Sequence, residues 1–185
     1  VTVTLNANDD AAGLGVRLIR YTVNDNPAQT VQGSTGSFTL EYDGIYTIKA
    51  VSSNKCIQPQ AAFPTAGIKL VQNTCSGGNE QKWNVQHLGN NIYRLTNVAT
   101  GLVAEVPGGV LADYAPIDQG VWVNAAYQKW AVRAVGGAVE LTSTSSNLLM
   151  EVLGVPVYPG VDNSTINGVT LDQHGSTSTN NQRFI

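Results

Sequence analysis

Side chains suited to hydrogen bonding recur along this chain in pairs. In each pair a carboxylate or amide side chain precedes a glutamine, by 23 positions twice and by 31 positions once. The pairs are Gln58 with Gln81, Glu105 with Gln128, and Glu151 with Gln182. A carboxylate can accept hydrogen bonds from two adjacent hydroxyl groups of a ligand, and a nearby amide can both donate and accept them.

Catalysis and metal binding find less support in the sequence. The chain has two histidines, and neither lies where a Ser or Cys nucleophile would complete a triad. Two carboxylates can cleave a glycosidic bond, but Glu105 and Glu151 occupy equivalent positions in different repeats and should lie far apart. No His or Cys spacing matches a metal site, and Asn8-Asp9-Asp10 is more typical of a turn than of a calcium loop. We therefore expect no enzyme activity and no cofactor.

The pairs belong to three copies of one sequence unit, over residues 45–88, 91–135 and 137–185. Each copy closes with a Gln-x-aromatic triplet: Gln81-Lys82-Trp83, Gln128-Lys129-Trp130 and Gln182-Arg183-Phe184. The third copy carries a longer loop, over residues 153–167. A chain that repeats itself usually builds one structural unit several times and packs the copies together.

Each copy predicts four β-strands, twelve in all. The third strand of each is expected at residues 68–72, 117–121 and 169–173. No window shows a convincing helical period, so the predicted class is all-β. In the triplets, we expect the aromatic rings to fill a shared core and the glutamines to bind backbone groups.

Residues 1–44 form a separate segment, with strands expected at residues 1–5, 16–23, 29–32 and 37–42. The segment resembles a bacterial immunoglobulin-like module, through its Thr-Val-x-Leu-x-Ala-x-Asp-Asp start and Asp-Gly-x-Tyr-Thr-Ile close. That resemblance implies a small β-sandwich-like segment. An ordered β extension without an activity of its own is the alternative.

Composition narrows the class of protein further. Of the 185 residues, 12% are charged and the net charge is −3, so a nucleic-acid partner is not expected. No apolar run is long enough to span a membrane. The absence of an initiator Met and of a signal-like segment indicates a processed or excised chain.

For Cys56 and Cys75 we favour a disulfide over two buried thiols, and with it a secreted, extracellular protein.

Residues 45–185 resemble the ricin B-type β-trefoil lectin domain, which also occurs as a carbohydrate-binding module on glycoside hydrolases. The resemblance rests on the Gln-x-aromatic triplets, on the cysteine pair within the first repeat, and on the run Cys-Ser-Gly-Gly-Asn-Glu-Gln-Lys-Trp at residues 75–83. It implies a three-lobed barrel with pseudo-threefold symmetry. It also implies a sugar site in each lobe that combines a carboxylate, an aromatic ring on the third strand, and an Asn before the triplet.

The third repeat meets these requirements best. It places Glu151, His174 and Asn181 at the three positions, followed by Gln182, with Asp172 available to assist. Tyr158 in the long loop is a further candidate for stacking on a sugar. Because Glu is longer than the family's Asp and His is smaller than Trp or Tyr, the identity of the sugar stays open.

The other two repeats depart further from the family pattern. The second has Glu105, Gly120 and Tyr127, with Gln128 following, and forms a second candidate site for which Tyr114 or Trp122 would have to supply the ring. We expect Trp122 to pack inward. The first repeat has Gln58, Asn73 and Glu80 at the three positions, so we expect a degenerate pocket there.

The sequence thus predicts a non-catalytic lectin or carbohydrate-binding module whose partner is a glycan or polysaccharide. Membrane insertion is not expected, whereas a homo-oligomer or a multidomain parent protein stays open. The alternative is a trefoil with decayed sugar sites that serves as a protein-interaction, protease-inhibitor or structural assembly module through its long loop. The sequon at Asn163 lies in that loop and would carry a glycan only in a eukaryotic secretory route.

Overall fold

The computed structural model describes residues 43–153 and 166–185 in full and, before residue 43, the backbone of four strands. The chain divides into two compact units, Val1–Glu41 and Tyr42–Ile185. The strands of the first unit are β1 (Thr2–Asn6), β2 (Leu18–Tyr21), β3 (Gln29–Gln32) and β4 (Thr35–Thr39). β1 pairs antiparallel with β4, and β2 with β3. These strands lie at or near their predicted positions, while the immunoglobulin-like assignment of the segment stays a prediction.

The second unit consists of three β lobes. The first lobe contains β5 (Gly44–Thr47), β6 (Cys56–Pro59), β7 (Ile68–Asn73) and β8 (Lys82–Gly89). The second contains β9 (Ile92–Asn97), β10 (Val103–Glu105), β11 (Ala115–Pro116), β12 (Asp118–Gly120) and β13 (Trp130–Val135). The third contains β14 (Ala138–Ser143), β15 (Leu149–Val152) and β16 (Val169–His174). The described residues otherwise hold 3-10 turns and no α-helix, so the predicted all-β class is confirmed.

The strand pairing builds a barrel closed by three hairpins. Every pairing is antiparallel, and β5, β8, β9, β13 and β14 follow one another around the barrel wall. The hairpins are β6–β7, β10–β12 and β15–β16, and they pair with one another through β7–β12, β7–β16 and β11–β16. This is the predicted β-trefoil arrangement.

Two of the predicted strands differ in detail from the structure. The third strand of the second lobe is split into β11 and β12, next to Pro116, which has no N–H to donate to a ladder. In the third lobe, Phe184 makes isolated bridges to Ala50 and Val139 at the place of the predicted fourth strand.

The triplets supply the centre of the core. Trp83, Trp130 and Phe184 are all buried, and each lies two residues after a 3-10 turn that ends at the triplet glutamine. The indole N–H of Trp83 donates to the Ile57 carbonyl at 2.9 Å, and that of Trp130 donates to the Ala104 carbonyl at 3.0 Å. These bonds satisfy the polar end of each indole while its ring is removed from water.

A second set of buried glutamines, which sequence reasoning missed, ties the lobes together. Gln72, Gln119 and Gln173 each stand nine positions before a triplet glutamine, and all three are fully buried. Each side-chain amide donates to backbone carbonyls in the hairpin loop of another lobe: Gln72 to Ile166, Gln119 to Phe63 and Thr65, and Gln173 to Val110 and Ala112. Each lobe therefore anchors a loop of a neighbour, and the three anchors form a closed ring.

The predicted disulfide between Cys56 and Cys75 is present. It joins the start of β6 to the loop after β7, across 19 positions of sequence. In the chain-entropy model a loop of this size contributes about 3 kcal/mol to stability.

Candidate functional site

Two carboxyl groups face each other across the hairpin of the third lobe. Glu151 on β15 is in register with Asp172 on β16, and residues directly opposite in an antiparallel pair project from the same face. Their exposed fractions are 4% and 3%. Burial, and then the nearby Glu151 carboxylate, raise the pKa of Asp172 to about 7. One Asp172 carboxyl oxygen has no hydrogen-bond partner among the described residues. Asp172 therefore keeps its proton up to about pH 7, and its unbonded carboxyl oxygen can accept a hydrogen bond from a ligand.

The closing triplet of the third lobe holds Glu151 in place. The Gln182 amide donates to Glu151 Oε2 at 2.8 Å and to the Gly175 carbonyl at 2.8 Å. Asn181 donates to Glu151 Oε2 at 3.4 Å and to the Val152 carbonyl at 3.2 Å. Gln182 is fully buried whereas Asn181 is half-buried. Gln182 is thus a support for the carboxylate, and Asn181 is the amide within reach of a ligand.

An aromatic pair completes this site, and half of it comes from the second lobe. His174 lies two residues beyond Asp172 on β16, so its side chain is on the same face. The Tyr114 ring lies 4.7 Å from the His174 ring, measured between centroids, and Tyr114 is 55% exposed. Its φ of 63° lies in the left-handed region, which a bulky residue rarely adopts. We expected Tyr114 near the second site, and the structure places it at the third.

An open cleft of about 570 Å³ reaches this site. It is lined by Lys69, Tyr114, Pro116, Leu153, Thr170, Leu171 and Asp172. Its volume falls in the range of small-molecule sites, roughly 300 to 1,000 Å³. The lining combines an exposed ring, an ammonium group and a carboxyl group, a mixture suited to a polar ligand with one apolar face.

The second lobe repeats the acidic pair without the ring. Glu105 is in register with buried Asp118, and burial and then Glu105 raise the pKa of Asp118 to about 7. The Gln128 amide donates to Glu105 Oε2 at 2.5 Å. A Cβ atom placed on Gly120 would collide with the Glu105 carboxylate. The carboxylate therefore occupies the space where the third lobe has a ring.

Two aromatic residues of the second lobe lie close to this pair in sequence but serve other contacts. Tyr127 is half-buried and packs against Gly109, where an added Cβ would come within 3.2 Å of its ring. Trp122 is half-buried, and the Arg94 guanidinium lies 4.9 Å from the centre of its ring. The expectation that Trp122 packs inward is wrong, because the guanidinium stabilises the ring at the surface through a cation–π contact.

In the first lobe the equivalent side chains are hydrogen-bonded to other groups of the protein. Gln58 accepts a hydrogen bond from Gln81 at 2.7 Å, and apolar Val71 is its cross-strand partner. Asn73 accepts from the Gly168 amide. A hydrogen bond from Ser76 lowers the pKa of Glu80. With no carboxylate at the first position, this lobe has no counterpart of the acidic pair.

Several predicted features lie outside the described residues: Tyr158, the sequon at Asn163, the run at residues 8–10 and most of the long loop. In the part of the chain that is described, no group of three or more His, Cys, Asp and Glu side chains is arranged to hold a metal ion. No helix there is long and apolar enough to cross a membrane.

Comparison with known proteins gives the family. The model of the ricin-type β-trefoil lectin domain-like family matches residues 36–120 and 79–156, which together span more than half of the chain. The chain therefore belongs to this family of lectin-type domains. No curated protein sequence matches the chain.

Solved structures share the fold. A designed threefold-symmetric protein, ThreeFoil, is 25% identical and superposes with a TM-score of 0.70, over 77% of this chain and 96% of that one. An agglutinin from Rhizoctonia solani is 17% identical, with a TM-score of 0.66 over 80% of this chain and 95% of that one. An exo-β-1,3-galactanase from Clostridium thermocellum is 17% identical, with a TM-score of 0.67 over 91% of this chain but 37% of that one. The same fold thus occurs both as a separate chain and within a longer enzyme.

Proposed function

We propose that this chain binds carbohydrate without transforming it, mainly through the third lobe. The observation that carries the proposal is the buried Glu151–Asp172 pair, with the Asn181 amide on one side and the exposed Tyr114 ring near the other. Membership of a lectin-type family supports the same conclusion.

Each group has a role that follows from the chemistry of a sugar. The Glu151 and Asp172 carboxyl groups accept hydrogen bonds from adjacent hydroxyls, and the Asn181 amide donates to one of them. Tyr114 and His174 pack against the apolar face of the pyranose. Gln182 keeps Glu151 oriented and does not itself touch the sugar.

The second lobe is proposed as a weaker site. Glu105, Tyr127 and Gln128 stand at the equivalent positions, but the Glu105 carboxylate fills the space over Gly120. A sugar would have to displace that carboxylate and would find no ring to stack on. The second lobe therefore contributes less to affinity than the third.

We also propose that the protein works outside the cell, since a disulfide persists in oxidising compartments. The partner is a glycan or polysaccharide rather than a nucleic acid, because the net charge of −3 repels phosphates.

A glycan array followed by titration calorimetry tests the proposal. Asn181→Ala and Tyr114→Ala should each weaken binding of the best glycan by about tenfold, the loss of one good hydrogen bond or one stacking contact. Glu80→Ala changes the residue at the same position of the first lobe and should leave affinity unchanged. If no glycan binds, or if Asn181→Ala binds as tightly as the parent chain, the third-lobe site is wrong.

A further inference from the structure

The cleft that reaches the third-lobe site lies on the pseudo-threefold axis of the barrel. Three of its lining residues are Lys69, Pro116 and Thr170. They stand at equivalent places of the three lobes, each 12 positions before a triplet glutamine. Residues that are related by a threefold axis and line one cleft must surround that axis. This cleft, the axial cleft, therefore belongs to all three lobes.

The axial cleft shares two side chains with the third-lobe pocket, which is formed by Glu151, Asp172, His174 and Asn181. Asp172 belongs to the acidic pair and also lines the axial cleft. The Tyr114 ring lies 4.7 Å from the His174 ring, between centroids, and lines the axial cleft as well. A glycan bound in the pocket can therefore continue past Tyr114 into the axial cleft.

Tyr114 occupies a place where the other two lobes have glycine. Its equivalents, each 14 positions before a triplet glutamine, are Gly67 and Gly168. All three residues have positive φ, of 63° at Tyr114, 83° at Gly67 and 81° at Gly168. A tyrosine in this conformation is strained, and residues strained in this way cluster at ligand-binding and catalytic sites. Because the ring is also 55% exposed, its place is explained by a ligand better than by packing.

The charge that faces the axial cleft is positive below about pH 7. Of the lining residues, Lys69 and Asp172 are the ones that carry a charge in this range. Lys69 is exposed, and its ammonium group makes no ion pair or hydrogen bond within the described part of the chain. Burial, and then the Glu151 carboxylate, raise the pKa of Asp172 to about 7, so its carboxyl group is mostly uncharged at lower pH.

We propose that the axial cleft binds an acidic residue of a glycan whose neighbouring residue occupies the third-lobe pocket, and that the Lys69 ammonium pairs with the carboxylate or sulfate of that acidic residue. The inference rests on the proposed function and names its ligand class, a short glycan with one anionic residue. Lysine acts as a point charge, so either anion satisfies it. A single neutral sugar would leave the axial cleft and the Lys69 ammonium to water.

Two other anionic ligands fit less well. A free anion in the axial cleft would meet the Lys69 ammonium, but Pro116 has no N–H to donate and Thr170 offers one hydroxyl. A nucleic acid presents many phosphates, for which the net charge of −3 is unfavourable. One anionic group on a glycan needs one ammonium, and the pocket supplies the remaining contacts.

Matched pairs of disaccharides test the proposal. In one arm, glucuronic, galacturonic or mannuronic acid linked to a neutral sugar is compared with the carboxamide of the same disaccharide. In the other, sulfated disaccharides are compared with their unsulfated forms. Titration calorimetry with the full chain near pH 6 and at low salt should show at least one acid bound about fivefold more tightly than its uncharged partner, the upper end for an exposed ion pair. The preference should shrink at high salt, which screens the charges.

Variants of the protein locate the anion site. Lys69→Gln should remove the preference for the acid and leave binding of the uncharged partner unchanged. Lys129→Gln removes the same charge outside the cleft and should keep the preference. Thr170→Lys places a second ammonium at the equivalent position of the third lobe and should raise the preference further. No preference for an acid in any pair, or a preference that survives in Lys69→Gln, would overturn the proposal.

The inference and the proposed function fail in different ways. If the uncharged disaccharides bind and depend on Asn181, but no acid is preferred, the third-lobe pocket stands and the anion site in the axial cleft is wrong. If the acids bind Asn181→Ala as tightly as the parent chain, Lys69 acts apart from the pocket and both are wrong. Binding of no disaccharide at all would also overturn both.

Discussion

The three triplet glutamines have the same position in the fold but different partners. Gln128 and Gln182 donate to the carboxylates of Glu105 and Glu151, whereas Gln81 donates to the amide of Gln58. Hydrogen bonds to a charged acceptor contribute more than neutral ones. The three triplets therefore contribute different amounts to the stability of the fold, although their sequences are nearly alike.

This difference can be measured in chemical denaturation. Gln182→Ala should lower the free energy of unfolding by about 3 kcal/mol, because it removes a charge-assisted hydrogen bond and leaves Glu151 buried with one weak donor. Gln81→Ala, the matched change in the first lobe, should cost about 1 to 2 kcal/mol. Equal losses would show that the carboxylate in the third lobe is not held by Gln182 as described.

The acidic pairs give the stability a pH dependence of definite sign. In the folded state the pKa values of Asp118 and Asp172 are about 7, against an ordinary value of 3.8. Between about pH 4 and pH 7 the folded chain keeps protons that the unfolded chain has released. The stabilisation that comes from these bound protons is fully present below the pKa of the unfolded chain and is lost as the pH rises through 7.

Urea denaturation at several pH values from 4 to 8 checks this expectation. In the double variant Asp118→Asn/Asp172→Asn the unfolding free energy should fall less with rising pH than in the parent chain, because neither side chain can titrate. Each single variant should remove part of the difference. A fall of unchanged size in the double variant would contradict the assignment.

Among the structural elements, the hairpin loops depend on side chains from other lobes. Gln119 donates to the carbonyls of Phe63 and Thr65, and Gln173 to those of Val110 and Ala112. The spacing of nine residues before each triplet is visible in the sequence. The structural role of that spacing is not visible in the sequence, because the acceptors are backbone carbonyls up to 94 positions away.

Hydrogen exchange should resolve these anchors one by one. Gln119→Leu should raise the amide exchange rates of the loop over residues 60–67 and leave those of the loop over 106–114 unchanged. Gln173→Leu should do the reverse. If either variant loosens both loops equally, the anchors act through global stability and not locally.

At the scale of the whole molecule, the repeats were enough to predict the three lobes, the core aromatics and the disulfide. The structure places Glu151, Asp172, His174, Asn181 and Gln182 in one lobe, and their role in binding a sugar stays a prediction. Tyr114 was expected at the second site and lies at the third, because its place against His174 depends on how two lobes pack.

The ring of anchoring glutamines also bears on how fast the protein can lose its structure. The contact between Gln72 and Ile166 closes the ring across 94 positions, and pairings so distant in sequence slow the folding of a chain. No lobe can satisfy the side-chain N–H group of its own buried glutamine before its neighbour is in place, so the three lobes must assemble together. Unfolding has to break the same ring of hydrogen bonds. The stability of the folded chain therefore depends on its unfolding rate as well as on its free energy of unfolding. Where proteases are abundant, the rate at which this chain unfolds would then determine how long it survives.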